Sequence, residues 1–399
     1  MAKNITKSIL STMTMPRFTV CLAIWLMLIP SYDIYAQQTN VNSMNRSLDP
    51  RFLNWLNSLF YLPPEGELRV RKEYRMLTDQ ERNNFHDSIR LLKRDTSVPP
   101  NKFDALASLH HLNTALSAHG GPNFLGWHRV YLVLFENAMR EKVANVTIPY
   151  WDNTIEEGLQ NPRQSTLFSP LFMGTANGQV TQGPFSFWST PFGPLGRDVG
   201  NDRRLMNPND ISTIMSQTII ADITNPNAPD VSNIEELHND VHVFIGQQMS
   251  RIESASYDPL FYIHHAFIDY LWEDFRTSQR MRGIDPARDY PRIVGEQTHQ
   301  PLASMGLGRL LVIDGINDIF TRRIYRYERR PTCVPNSNTC GSQYLRCDWS
   351  RQRCVPLIMN SNTPTALAMT GPAVQRLPWW SRQGGITTGN TGQFVFGFN

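Results

Sequence analysis

The chain has 399 residues with 41% hydrophobic side chains, enough to bury a large core. Its 38 basic and 35 acidic residues nearly cancel, so it lacks the strong positive field that nucleic-acid or membrane-surface binding would need. Setting aside residues 1–36 removes Lys3, Lys7, Arg17 and Asp33, leaving 35 basic against 34 acidic.

Residues 1–36 carry the pattern of a secretory signal peptide. Lys3, Lys7 and Arg17 precede the apolar run Val20–Pro30, and Ala36 offers a small residue before a cut ahead of Gln37. The run is shorter than the roughly 20 residues of a spanning helix, so we expect a secreted chain with no membrane contact after cleavage. Residues 37–68 read as an irregular leader around an amphipathic piece, Phe52–Leu62, ended by Pro63 and Pro64. Thr78–Leu92 predicts a helix, with Thr78 and Glu81 as a capping box and Phe85, Ile89 and Leu92 as one stripe. His86 is expected on its surface.

After Pro99 and Pro100, KFDALASLHH predicts a helix with Phe103, Leu106, Leu109 and His110 on one side. The stretch AHGGPNFLGWHRVYLVLFE, Ala118–Glu136, becomes from Phe124 onward a helix that is apolar nearly all round, and such a helix lies in a core. It nevertheless carries His128 and Arg129, and an unpaired buried polar group costs about 1–3 kcal/mol. VTIPYWDNT, residues 146–154, reads as extended, and residues 158–232 as long loops able to wall a pocket. Ser232 to about Gln248 predicts a helix with Ser232 and Glu235 as a capping box. A further helix through DPLFYIHHAFIDYLWEDF opens on Asp258 as N-cap and Pro259 as first helical residue.

Residues 306–330 suggest a strand or two. Cys333, Cys340, Cys347 and Cys354 are read as two disulfides of open pairing, and Asn45 and Asn145 lie in glycosylation sequons. Residues 37–330 are expected to form the main domain, 331–356 a Cys-rich segment and 357–399 a Gly/Thr/Asn-rich tail of little order.

Eight of the ten histidines fall in two clusters: His110, His111, His119 and His128, then His238, His242, His264 and His265. His238 and His242 are four apart, so on a helix both point from one face and can grip one ion. A zinc peptidase of the HExxH type would need Glu after the first His, where Asn239 stands. Three imidazoles per cluster with no thiolate or carboxylate suit copper or zinc. Two such sites in one core suggest two ions facing each other, for copper the arrangement that binds dioxygen.

Taken in order, His110, AHGGPNFLGWHRVYLVLFE, IPYWDN, LHNDVHVFIG and DPLFYIHHAFIDYLW resemble the tyrosinases and their type-3 dicopper relatives, over roughly Arg69 to Trp349. CGSQYLRCDWSRQRC is similar to the C-terminal Cys stretch of secreted, mollusc-type tyrosinases. The resemblance implies a mainly α fold: a four-helix bundle holding a dicopper centre, with long loops and a small disulfide-bearing C-terminal appendage. It implies two copper ions, one held by His110, His119 and His128 and the other by His238, His242 and His265. His111 and His264 would be packing or supporting residues, and Arg129 and Asp269 candidates to orient imidazoles.

The implied activity is oxidation of monophenols and o-diphenols to o-quinones by dioxygen, with small phenols or protein tyrosines as substrates and pigment formation or matrix cross-linking as the role. A catechol oxidase, a reversible oxygen carrier and a catalytically silent matrix protein are the alternatives. The family pattern also places an Asn directly after the first ligand of the second set, here Asn239, where with a Glu it would take the phenol proton. Glu235 and Glu236 are the candidates for that Glu, Glu235 being already engaged by the expected capping box. Two departures stand out. Ser117 replaces a Cys that in many relatives forms a thioether to His, so no such bond is expected. Phe244 and Gly246-Gln247 replace the familiar Trp and Gly-Gly near the second copper.

Overall fold

The computed structural model describes residues 48–111, 115–292 and 294–358. The expected signal segment, Cys21, the Asn45 sequon and all but the first two residues of the tail lie outside them. Among the described residues no helix is long and apolar enough to cross a membrane.

Helix α1, Pro50–Ser58, begins where the Asp49 carboxylate accepts the Arg51 N–H at 2.8 Å. Strand β1 is Arg69–Arg71. Helix α2, Asp79–Arg94, starts on the expected capping box between Thr78 and Glu81 and buries Phe85, Ile89 and Leu92. Helix α3, Lys102–Ala107, tightens into a single 3-10 turn, Ser108–His110. Helix α4, Phe124–Lys142, is buried at every residue from Phe124 to Met139, as its lack of a polar face requires.

The loop region contains four short strands and one helix: β2 (Asn177–Gln179), β3 (Ser189–Thr190), β4 (Gly193–Pro194), β5 (Gly196–Asp198) and α5 (Pro208–Ser216). Helices α6 (Ile234–Ile245), α7 (Ile252–Ala255) and α8 (Leu260–Met281) follow, then β6 (Tyr325–Tyr327), β7 (Leu345–Asp348) and β8 (Arg353–Pro356). Each described sheet has two strands. β1 pairs in parallel with β6, Val70 opposite Arg326, which brings residues 69–71 beside residues 325–327.

Helices α4 and α8 pack against each other at the centre, with α3 and α6 completing the four helices expected around the histidines. Trp127, Tyr131, Tyr262 and Trp272 fill the contact, and the Phe135 and Tyr262 rings stack at 3.5 Å. The Cys-rich segment forms the hairpin β7–β8, with interleaved disulfides Cys333–Cys347 and Cys340–Cys354. Each closes a 14-residue loop, worth about 3 kcal/mol in a chain-entropy account.

Several local expectations are corrected. The residue that caps α6 is Asn233, whose side-chain oxygen accepts the Glu235 N–H at 3.0 Å, while Ser232 donates to the Asp222 carbonyl at 2.9 Å. Glu235 is therefore free of any capping box. Asp258 does accept the Leu260 N–H, at 2.9 Å, and grips buried Arg197 at 2.7 and 2.8 Å, but α8 begins at Leu260, one residue later than expected. Residues 306–330 yield one strand, β6; the segment before it winds into 3-10 and π turns.

His86 is not on the surface. It is 5% exposed, its Nε2 meets the Tyr74 hydroxyl, and burial pushes it down to about 3 from an ordinary 6.5. The folded chain then binds fewer protons here than the unfolded chain. This contribution is intact above about pH 6.5 and is lost as pH falls toward 3, about 2 kcal/mol of it by pH 5. His86→Gln keeps a hydrogen-bonding group toward Tyr74 but cannot titrate. Urea unfolding should therefore show a difference in stability between pH 7 and pH 5 that is smaller than the parent's by about 2 kcal/mol. An unchanged difference would mean that His86 is open to water.

Candidate metal centre

Seven of the eight clustered histidines come from the turn after α3, from α4, α6 and α8, and from the loop holding His119; His111 lies just outside, half-buried. His110, His128, His238, His242 and His265 are buried and His119 is half-buried. Burial pushes His119 and His242 down to about 4 and holds His110, His128, His238 and His265 well below their ordinary value. All six are neutral at pH 7, the state in which imidazole binds metal.

The tautomers of four are fixed by the main chain. Nδ1 of His110 lies 3.0 Å from the Ile252 carbonyl oxygen, that of His128 2.8 Å from Phe124, that of His238 3.2 Å from Glu235 and that of His242 2.8 Å from Met249. A carbonyl oxygen only accepts, so each Nδ1 carries the proton and each Nε2 presents a lone pair. The Nε2 atoms of His110 and His128 then face each other at 3.2 Å with no hydrogen between them. A cation between them offsets that repulsion. Two nitrogens each about 2.0 Å from one ion sit about 3.3 Å apart at a tetrahedral angle. The ring nitrogens of His110, His119 and His128 all lie within 4.8 Å of one another.

In the second group the short contacts converge on one nitrogen. Nε2 of His265 lies 3.0 Å from that of His238 and 3.2 Å from that of His242. His264 also brings a ring nitrogen within 4.8 Å of those of His238 and His242. Its Nε2, however, meets the His238 carbonyl at 3.3 Å, and its ring stacks flat on His238 with centroids 5.0 Å apart. Geometry thus turns the Nε2 of His265, not that of His264, toward the other two. The His128 and His265 rings stack at 4.2 Å, so the two groups share one wall, backed by Phe261 at 4.8 Å from His110 and 4.0 Å from His265. An all-imidazole donor set, neutral and with four of its six tautomers fixed by the main chain, fits copper.

Arg129 and Asp269 are paired with each other, Nε to Oδ1 at 2.7 Å, and not with an imidazole among the described residues. Asp269 also accepts the hydroxyls of Tyr325 and Tyr327, and Arg129 lies 3.9 Å over the Trp272 ring. Burial alone would raise Asp269, but Arg129 and Arg71 outweigh it and hold the carboxyl below its ordinary range. The pair clamps α4 to α8 one residue beyond His128 and four beyond His265.

Asn239 is half-exposed on α6, one turn after Glu235. The Glu235 carboxylate accepts the Gly120 N–H at 2.8 Å and the Asn225 amide at 3.3 Å; burial outweighs both and pushes it up to about 7. Ser117 is buried, its hydroxyl accepting the Asn123 amide at 3.0 Å. The sequence reading missed His299, which is buried against the His119 loop. No periodic or motif signal surrounds it in the sequence.

Residues 100–278 match the family model described as the common central domain of tyrosinase. A tyrosinase-like protein of Pinctada maxima is 38% identical over 335 residues, which cover 78% of this chain and 71% of that protein. Among solved structures, a polyphenol oxidase of Thermothelomyces thermophila superposes with a TM-score of 0.53 at 18% identity, covering 73% of this chain and 98% of that one. Deoxygenated hemocyanin of Rapana thomasiana gives 0.50 at 24% identity, covering 66% and 70%. Both structures share the fold.

The clamp between α4 and α8 can be tested without metal. Asp269→Asn keeps the shape but leaves Arg129 and Arg71 buried beside a neutral group. Removing one partner of a buried pair typically costs about 3–5 kcal/mol, and urea unfolding of the metal-free protein should show a loss of that size. A loss below about 1 kcal/mol would mean that the pair does not hold the helices.

Proposed function

Because this chain belongs to the tyrosinase family, whose members carry a type-3 dicopper centre, we propose that it is a secreted oxidase that uses dioxygen to hydroxylate monophenols and to oxidise o-diphenols to o-quinones. In this reading His110, His119 and His128 hold one copper, and His238, His242 and His265 the other. The observation that carries it is the pair of lone pairs of His110 and His128, aimed at each other across 3.2 Å in a buried site. When bound, the copper pair would supply electron transfer to dioxygen with this balance: a monophenol and one dioxygen give an o-quinone and one water, and two o-diphenols and one dioxygen give two o-quinones and two waters.

The protein's own contribution is orientation, water exclusion and proton handling. Nδ1–H bonds to main-chain carbonyls keep four imidazoles pointing inward, and Phe124 and Phe261 exclude water from behind them. His119 is the one proposed ligand residue that is not fully buried, which supports access by a phenol from its side. A monophenol has a pKa of about 10 and must lose its proton before it reacts. Asn239 follows His238 directly and is half-exposed, so its amide can hold the water that takes that proton. Glu235, one turn earlier on α6 and no longer in a capping box, and Glu236 are the carboxylates that could work with it. The two disulfides support export, and o-quinones react with Lys and Cys side chains, which suits pigment formation or matrix cross-linking with small phenols or protein tyrosines as substrates.

Two outcomes test this. Copper-loaded His265→Ala should hold one copper per chain by metal analysis and take up no oxygen with catechol, whereas His264→Ala should keep two. The reverse pattern would move the ligand to His264. Asn239→Leu, with both coppers retained, should lower turnover of tyrosine about a hundredfold while catechol turnover stays within about threefold. Equal loss on both substrates, or none on either, would remove Asn239 from the mechanism and leave catechol oxidation as the activity.

A further inference from the structure

Of the six proposed ligands, His119 alone stands on neither a helix nor a 3-10 turn. Its place depends on what holds the main chain of residues 119–123. Residue His299 arrives there from 180 positions away, 1% exposed. Its Nε2 lies 2.9 Å from the His119 carbonyl oxygen, which only accepts, so Nε2 carries the proton. Nδ1 is then an acceptor, and it takes the Asn123 N–H at 3.3 Å. One neutral imidazole thus ties both ends of the segment that carries His119 into the N-terminus of α4.

The segment is shaped for this ring. A Cβ on Gly121 would come within 2.5 Å of the His299 Cγ and Nδ1, so only glycine lets the ring lie flat against the loop. His299 is itself anchored, its carbonyl accepting the Tyr290 hydroxyl at 2.8 Å. From the other side the Glu235 carboxylate takes the Gly120 N–H at 2.8 Å.

We propose that His299 is the positioning residue for His119 and thereby sets the copper affinity of the first site. The inference rests on the proposed ligand set and goes beyond it. His299 does not touch the metal. It fixes the main chain so that the His119 ring meets those of His110 and His128, whose centroids lie 4.8 and 5.2 Å away. A histidine that merely filled space would be replaceable by another ring of its size. A positioning histidine would not be, whereas an amide, which also pairs a donor with an acceptor, would restore it.

The test is a copper titration of the purified full chain, read as stoichiometry and affinity, with circular dichroism as the check on folding. The parent should bind two coppers; if it does not, the dicopper reading fails before His299 is at issue. His299→Phe should keep one tight site and weaken the other by about ten- to hundredfold, the usual size of such outer-partner effects. His299→Gln should recover most of the lost affinity. Two tight sites in His299→Phe would overturn the proposal, as would a loss in His299→Gln equal to that in His299→Phe. Where His299→Phe does not fold, Gly121→Ala carries the test, since its methyl pushes the ring off the loop. One weakened site supports the proposal, and two unchanged sites refute it.

Discussion

The centre depends on a hydrogen bond of ordinary strength used to fix a tautomer. Four main-chain carbonyls hold the Nδ1 protons of His110, His128, His238 and His242, and so decide that each Nε2 lone pair points inward. Without those carbonyls a neutral imidazole could turn over and share a proton with its neighbour, and the site would be a hydrogen-bonded histidine cluster. With them, the Nε2 lone pairs of His110 and His128 meet in a buried space. Burial acts in the same direction, because it disfavours the imidazolium that would otherwise relieve the repulsion. The cost of bringing these groups together is met only when a cation sits among them, which ties copper binding to stability.

Such a site needs a frame that does not yield. Helices α4 and α8 supply it through apolar packing and through a buried run of charges: Arg129 with Asp269, Arg71 beside Asp269 and Glu136, and Arg69 on Glu136 at 2.9 Å. Replacing such pairs by hydrophobic residues would often cost little, so their presence is weak grounds for stability alone. Their geometry is what matters here. β1 and β6 carry Arg69, Arg71, Tyr325 and Tyr327 onto the back of α4 and α8, and Arg71 lies 3.6 Å over the Tyr325 ring. The parallel pair thus closes the main domain onto the two helices that bear His128 and His265.

Where a function was carried by local pattern, the sequence was readable. The Thr78–Glu81 capping box, the helix without a polar face and the spacing of His238 and His242 each follow from interactions within a few residues, and all appear in the structure. The main departures come from contacts between distant residues. His86 is buried because Tyr74 offers it a partner, and Asp258 serves Arg197 as well as its own helix. Ser232 lost the cap of α6 to Asn233, one residue on, since both types cap well and only the surrounding chain decides. Disulfide pairing was open because four evenly spaced cysteines permit three pairings; the folded chain joins Cys333 to Cys347 and Cys340 to Cys354, the interleaved one. His299 had no local signature at all, its partners lying at residues 119 and 123.

The two halves of the centre are consequently built in different ways. The second is assembled from nearby chain: His238 is oriented by Glu235 three residues before it, His242 by Met249 seven residues after it, and His265 follows on the next long helix. The first is assembled from afar. His110 is oriented by Ile252, 142 residues on, and the His119 loop is held by Glu235 and His299. These contacts bring α6, α7 and the segment bearing His299 to the residues of the first site. Glu235 belongs to both halves, since its carbonyl orients His238 while its carboxylate holds Gly120. The first site is therefore complete only where α6, which also carries His238 and His242, lies against it.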